Sequence, residues 1–318
     1  MNQLDNLKKI STIAADTSDI NDIQYYKVQH ATTNPSLILK APLCTTYADL
    51  LEDAIIYARK HNGNQNDKAI NASDRLIVNI GSKILKHISG NISTEIDARL
   101  SFDSTLTIQK AHKLIKMYQE KNIDSSRVLI KIAATWDGME AAEELERSGI
   151  KCNLTLLFSF AQARVCAEKK IHLISPFIGR IYDWYNQHNL LNKYHITCDP
   201  GVIALKKIFY YYKQHQYQTI IMGASFRTID QILAIAGCDY LTISPNLLKQ
   251  LLHNNQSVER YLYPPINNTQ NPKPIPFSKK DFFLHHNQDQ MAVDKLHEGI
   301  HNFSIDQQHL QNLLMKKI

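Results

Sequence analysis

The run Val128-Leu129-Ile130-Lys131-Ile132-Ala133-Ala134 would read as a fully buried strand but for its lysine. An ammonium taken out of water without a partner is costly, so buried lysines tend to give up the proton, which leaves a nucleophilic amine. Alternatively, Lys131 lies at a rim and extends its head into solvent along its aliphatic stem. Polar residues recur at the ends of other short apolar runs: Asp16, Asn34, Glu95, Asn153 and Thr155, Ser175, then Ser225 and Arg227. Singly, each suits an ordinary structural role: Asp16 and Asn34 as helix or turn caps, Glu95 paired with Arg99, Asn153 satisfying loose backbone groups. Together, one amine among carboxylates, amides and hydroxyls is equipment for carbonyl chemistry, with the amine as nucleophile and the carboxylates as proton carriers.

Such a set works only if the fold brings the run ends together. Short β-rich runs at 12–15, 31–33, 92–95, 128–133, 152–156, 172–175, 219–222 and 240–243 alternate with helical spacing at 47–60, 105–121, 138–148, 159–169, 179–188, 204–215 and 228–236. Residues 73–87 are also helical in spacing, with Ser73 as a plausible cap, so the second crossover is expected to carry two helices. Eight strands in this alternation, with no glycine-rich dinucleotide fingerprint, favour a closed (β/α)8 TIM barrel over an open doubly wound sheet. Residues 1–318 then form a single barrel domain. Residues 246–252 are helical, 253–290 form a Pro/Asn-rich connection, and 291–318 hold a C-terminal helix whose broken apolar face packs against the barrel. In a barrel enzyme the catalytic groups sit at the C-terminal ends of the strands, which is where the polar residues above fall.

Composition restricts the partners. A chain of 318 residues with 44% hydrophobic content can bury a large core. The five cysteines, at 44, 152, 166, 198 and 238, show no CxxC or HExxH spacing, so neither a zinc site nor a disulfide framework is indicated and a reducing cytoplasm fits best. The N-terminus lacks an apolar signal region, and no stretch is long and apolar enough for a membrane span. The formal charge of +6 comes without a basic run, an aromatic-interleaved stripe or a helix-turn-helix pattern, which argues against nucleic acid and leaves anionic small molecules open. The sequons at Asn91 and Asn153 fall in strand-like segments and read as chance matches.

Several long motifs carry a resemblance: Ala31-Thr32-Thr33-Asn34-Pro35-Ser36-Leu37, Ser93-Thr94-Glu95-Ile96-Asp97-Ala98-Arg99-Leu100-Ser101, Leu129-Ile130-Lys131-Ile132-Ala133, Asn153-Leu154-Thr155-Leu156-Leu157-Phe158-Ser159, Ser175-Pro176-Phe177-Ile178-Gly179-Arg180 and Gly223-Ala224-Ser225-Phe226-Arg227. The chain resembles, over nearly its whole length, the class I transaldolases of the pentose phosphate pathway. That resemblance implies a (β/α)8 barrel, usually a homodimer, that moves a dihydroxyacetone unit from sedoheptulose 7-phosphate to glyceraldehyde 3-phosphate, giving erythrose 4-phosphate and fructose 6-phosphate. It implies no metal and no organic cofactor. By position, Lys131 matches the Schiff-base lysine, Asp16 the proton-transfer carboxylate, and Glu95 with Thr155 the groups that hold and activate the catalytic water.

Within that frame Asn34, Asn153 and Ser175 are expected to hold the hydroxyls of the dihydroxyacetone unit, and Arg180, Ser225 and Arg227 the terminal phosphate. Related small aldolases that cleave fructose 6-phosphate outright carry a tyrosine where this chain has Phe177, which favours transfer here over cleavage. Two departures from the family pattern are Ala134, where serine is common, and Gln290, where a proline would preset the start of the last helix. A metal-dependent aldolase or an inactive scaffold are the competing readings. His285-His286, the only adjacent histidine pair, is expected to be a solvated pair in a loop, and a scaffold has no use for Lys131, Asp16 and Glu95 together.

Overall fold

The computed structural model describes residues 2–40, 45–191, 195–265 and 272–318; Cys44 lies outside them. Eight strands, β1 (Thr12–Asp16), β2 (His30–Thr32), β3 (Ile92–Glu95), β4 (Val128–Ala133), β5 (Cys152–Leu157), β6 (Leu173–Pro176), β7 (Ile220–Gly223) and β8 (Tyr240–Ile243), pair in parallel in chain order. β1 also pairs with β8, from Thr12↔Tyr240 to Ala15↔Ile243, so the barrel closes as expected. Every residue of β3 to β6 is buried. A strand covered by helices outside and by barrel filling inside has no wet face, which is why these runs read as continuous rather than alternating.

Alternation still operates, between two buried sides. Ala14, Leu129, Leu173 and Met222 form a small apolar cluster of their own inside the barrel. With a side-chain period of two, the next inward positions along those strands are Asp16, Lys131, Ser175 and Ala224, so an apolar floor supports a layer that is polar at three of these four positions at the C-terminal mouth. Register then sets neighbours within that layer, Glu95 opposite Lys131 and Lys131 opposite Asn153.

Fourteen α-helices are present among the described residues: α1 (Gln3–Leu7), α2 (Ile20–Tyr26), α3 (Pro35–Lys40), α4 (Ala48–Arg59), α5 (Gln65–Leu85), α6 (Ser104–Gln119), α7 (Trp136–Arg147), α8 (Phe160–Glu168), α9 (Ile178–Gln187), α10 (Pro200–Gln214), α11 (Ile229–Leu233), α12 (Pro245–His253), α13 (Lys279–Asn287) and α14 (Gln290–Met315). The first three, of five to seven residues, are too short to show a helical period and were not anticipated. Ser73 is not a cap. α5 starts at a capping box made by Asn64 and Asp67, and Ser73 lies buried inside the helix, accepting a hydrogen bond from Gln307 Nε2 of α14 at 2.9 Å.

The stretch 253–290 is not all connection, since α13 occupies part of it. The solvated-pair reading of His285-His286 is therefore corrected: both lie in α13, and His286 is buried, stacked on Phe282, with Nδ1 3.0 Å from Ser159 Oγ. Burial, followed by the nearby His297, lowers the His286 pKa to about 4. α14 begins sharply without a proline, because the Asp289 side chain accepts from Ala292 N and caps it. It packs on α3, α5, α9 and the end of β5. At that strand end Leu156 is buried with φ +52, where the β5–β6 register shifts. None of the described helices is long and apolar enough to cross a membrane.

Candidate active site

A cavity of about 270 Å³ opens at the C-terminal mouth of the barrel, near the lower end of ligand-sized pockets. Asp16, Asn34, Lys131, Ser175, Phe177, Arg180, Ser225 and Arg227 all face it. Glu95, Asn153 and Thr155 stand behind this wall, fully packed.

Lys131 is 4% exposed, which removes the rim reading. Its Nζ donates to the Thr33 carbonyl oxygen at 3.3 Å and lies 2.9 Å from Glu95 Oε2, an ion pair whose angle is poor for a hydrogen bond. Burial raises the Glu95 pKa, and the adjacent Lys131 ammonium opposes that rise. A carboxyl in this state is a proton acceptor matched to working pH better than an exposed glutamate. Arg99 does not compete for it: its guanidinium takes Asp97 instead, at 2.6 Å. Among the described residues, neither Glu95 Oε2 nor the buried Thr155 Oγ1 has a hydrogen-bond partner. Buried polar atoms are seldom left so.

Across the barrel, Asp16 accepts from Thr32 Oγ1 at 3.0 Å, and Thr32 Oγ1 lies 2.7 Å from Thr242 Oγ1. This chain of hydroxyls fixes the Asp16 carboxylate at the β1–β8 seam. Asn34 serves two purposes, capping α3 through a 3.0 Å bond from Leu37 N while lining the cavity. Asn153 is oriented by both neighbours: it donates to Ser93 Oγ at 3.0 Å and accepts from Ser175 Oγ at 2.7 Å.

The two arginines stand at the other end. Gly179 lets the β6 and β7 loops meet, because a Cβ there would lie 2.2 Å from the Ser225 carbonyl oxygen, which instead accepts from Gly179 N at 2.8 Å. Ser225 takes a left-handed backbone, φ +60. Arg180 Cζ lies 5.0 Å from the Phe177 ring centre and 5.3 Å from that of Phe303, and burial lowers its pKa, with Arg227 contributing next. Among the described residues the Arg180 guanidinium makes no hydrogen bond or ion pair and lies against these two rings instead. Arg227 is exposed and forks onto Asp183, with Nη2 2.6 Å from Oδ2.

Residues 13–314 match the model of the transaldolase/fructose-6-phosphate aldolase family. The chain belongs to that family. A transaldolase of Blochmanniella floridana is 66% identical over 318 residues, covering all of this chain and 98% of the relative. Transaldolases of Baumannia cicadellinicola and Sodalis glossinidius are 59% and 57% identical, with full coverage on both sides.

For this transaldolase/fructose-6-phosphate aldolase chain, the mouth of the barrel gathers the residues singled out from sequence at one site, eight on the wall and three behind it. Sequence reading missed Thr32, Met222, Ala224, Phe226, Thr242 and Ser244, which complete the wall, and Phe303, which reaches it from α14. Inward alternation from Thr32 and Thr242 was a usable signal; for Phe303 the sequence offered only a place on an apolar helix face. Among the described residues no three His, Cys, Asp or Glu side chains are grouped to hold a metal ion.

Proposed function

We propose that the protein is a transaldolase that transfers a dihydroxyacetone unit from sedoheptulose 7-phosphate to glyceraldehyde 3-phosphate, in the non-oxidative pentose phosphate pathway, through a Schiff base on Lys131. The observation that carries this is Lys131 itself: a buried amine on the cavity wall, 2.9 Å from one carboxylate and sharing the cavity with a second. The Lys131 amine attacks the ketone carbon, and the carbinolamine loses water to give an iminium. Glu95, with Thr155 and a water between them, moves the protons of that step. The iminium withdraws electrons as Asp16 takes the C4 hydroxyl proton, the C3–C4 bond breaks, and the aldose phosphate leaves an enamine on Lys131. The enamine carbon attacks the acceptor aldehyde, Asp16 returns its proton to the new hydroxyl, and hydrolysis frees the product and Lys131.

Asn34, Asn153 and Ser175 hold the hydroxyls of the three-carbon unit in this reading, and Arg180, Ser225 and Arg227 the phosphate. The uncommitted Arg180 guanidinium supports that assignment, since its five donors need an acceptor. The enzyme is proposed to act as a cytoplasmic homodimer, in keeping with the free thiols of its four described cysteines and with the resemblance of its motifs. Borohydride with fructose 6-phosphate should trap a covalent adduct on Lys131; an adduct on another residue, or none, refutes the mechanism. Sedimentation tests the dimer.

The second reading, cleavage of fructose 6-phosphate to free products, requires a proton source near the enamine. Phe177, edge-on to Phe158 at 5.6 Å, puts an apolar ring there instead. Phe177→Tyr should raise release of free dihydroxyacetone relative to transfer; an unchanged ratio removes Phe177 from the argument.

A further inference from the structure

Arg180 is held by rings rather than by carboxylates, and one of the rings comes from the far end of the chain. Phe303 is 3% exposed, lines the cavity, and sits one turn beyond Gly299 on the same face of α14. A Cβ at Gly299 would lie 2.6 Å from Leu156 Cδ2 and 3.4 Å from Arg180 Nη1, so glycine allows the helix to come down on both. The approach is fixed by polar ties along α14. Trp184 Nε1 of α9 donates to Asp294 Oδ2 at 2.8 Å, Ser36 Oγ of α3 bonds Asp306, Gln307 Nε2 reaches Ser73 of α5, and Arg99 donates to Gln308 and Gln311.

We infer that Phe303 is a positioning residue: with Phe177 it clamps the Arg180 guanidinium so that its donors point into the cavity ready for a phosphate. This rests on the reading of Arg180 as a phosphate ligand. The physical case is the contrast between the two arginines. Arg227 is oriented by Asp183, a carboxylate that also occupies part of its donor fork. Arg180 is half-buried and loses hydration, which the electron-rich ring faces offset without using any N–H. A guanidinium held this way keeps all its donors for the ligand and gives up little rotamer freedom when the ligand arrives.

The test compares the phosphorylated acceptor glyceraldehyde 3-phosphate with D-glyceraldehyde, and adds inorganic phosphate as a competitive inhibitor. Phe303→Leu should lower the ratio of the two kcat/KM values roughly three- to ten-fold and weaken phosphate inhibition by a similar factor. Phe303→Tyr, which keeps the ring, should restore both. In an Arg180→Met background, Phe303→Leu should have no further effect on either readout. Equal losses for the two acceptors overturn the inference, because loosening of α14 harms both alike. A further loss of the same size in the Arg180→Met background overturns it too, because the ring would then act on the ligand directly. If Arg180→Met leaves the ratio and phosphate inhibition unchanged, the phosphate reading itself falls, and with it the inference.

Discussion

The buried His286 should make the barrel acid-sensitive in a way that one substitution removes. An unfolded histidine titrates near 6.5, whereas in the fold burial holds His286 to about 4. Between those values the unfolded chain binds a proton that the native chain excludes, so stability contributed by this site is complete above about pH 6.5 and is lost as pH falls towards 4. Integrating that difference from pH 7 to pH 5 gives about 2 kcal/mol. His172, also lowered to about 4, and His30, lowered by burial, add their own acid losses. The measurement is therefore a difference: urea unfolding of wild type and His286→Gln at a series of pH values. The variant should be less stable at pH 7, having lost the stacking on Phe282 and the Ser159 contact, and the gap should narrow by about 2 kcal/mol at pH 5. Parallel stability curves would show that the ring is protonated in the fold or reached by water, and the burial argument would fail.

Glu95→Gln should lower kcat by roughly 10²- to 10⁴-fold, seen as slow accumulation of the borohydride-trapped adduct. In the wild type activity should rise with pH through a carboxyl titrating above the ordinary glutamate range, and that limb should be absent in the variant. Arg227→Ala should raise KM for phosphorylated sugars by roughly 10- to 100-fold, the loss expected for charge-assisted hydrogen bonds, with a much smaller change for free dihydroxyacetone; equal changes would remove Arg227 from the phosphate site. Gly299→Ala should force α14 off Leu156 and lower the melting temperature by roughly 2–6 °C, measured by calorimetry, and an unchanged value would show that the contact yields freely.

The barrel was legible because its strands are short apolar runs whose polar interruptions fall at one end, and burial on both sides leaves no competing pattern. What escaped depended on tertiary contact. Ser73 looked like a cap because nothing local shows that Gln307 satisfies its hydroxyl from α14, and a serine inside a helix ordinarily argues against one. His285 and His286 follow a Pro/Asn-rich stretch that suggested loop, while Ser159, at the cap of α8, meets His286 only once α13 has docked on α8. At Glu95 the choice between Arg99 and Lys131 is a matter of register. The β3–β4 ladder puts Lys131 directly opposite, while Asp97, two residues beyond Glu95, takes Arg99. Phe303 was visible as apolar but not as part of a site, since a helical period gives a face and not the wall it meets.

The cavity draws on both ends of the chain, Asp16 from the first strand and Phe303 from the last helix, across a seam joined by β1–β8 pairing. Turnover therefore reports on the integrity of the entire polypeptide. A truncation or partly folded species that keeps Lys131 and its strand but lacks α14 is missing one wall of the site, the one that holds Phe303 against Arg180. A chain that had closed its barrel but not yet docked α14 would hold a nucleophilic lysine in a mouth missing one wall, and final docking of that helix becomes the step that completes the enzyme.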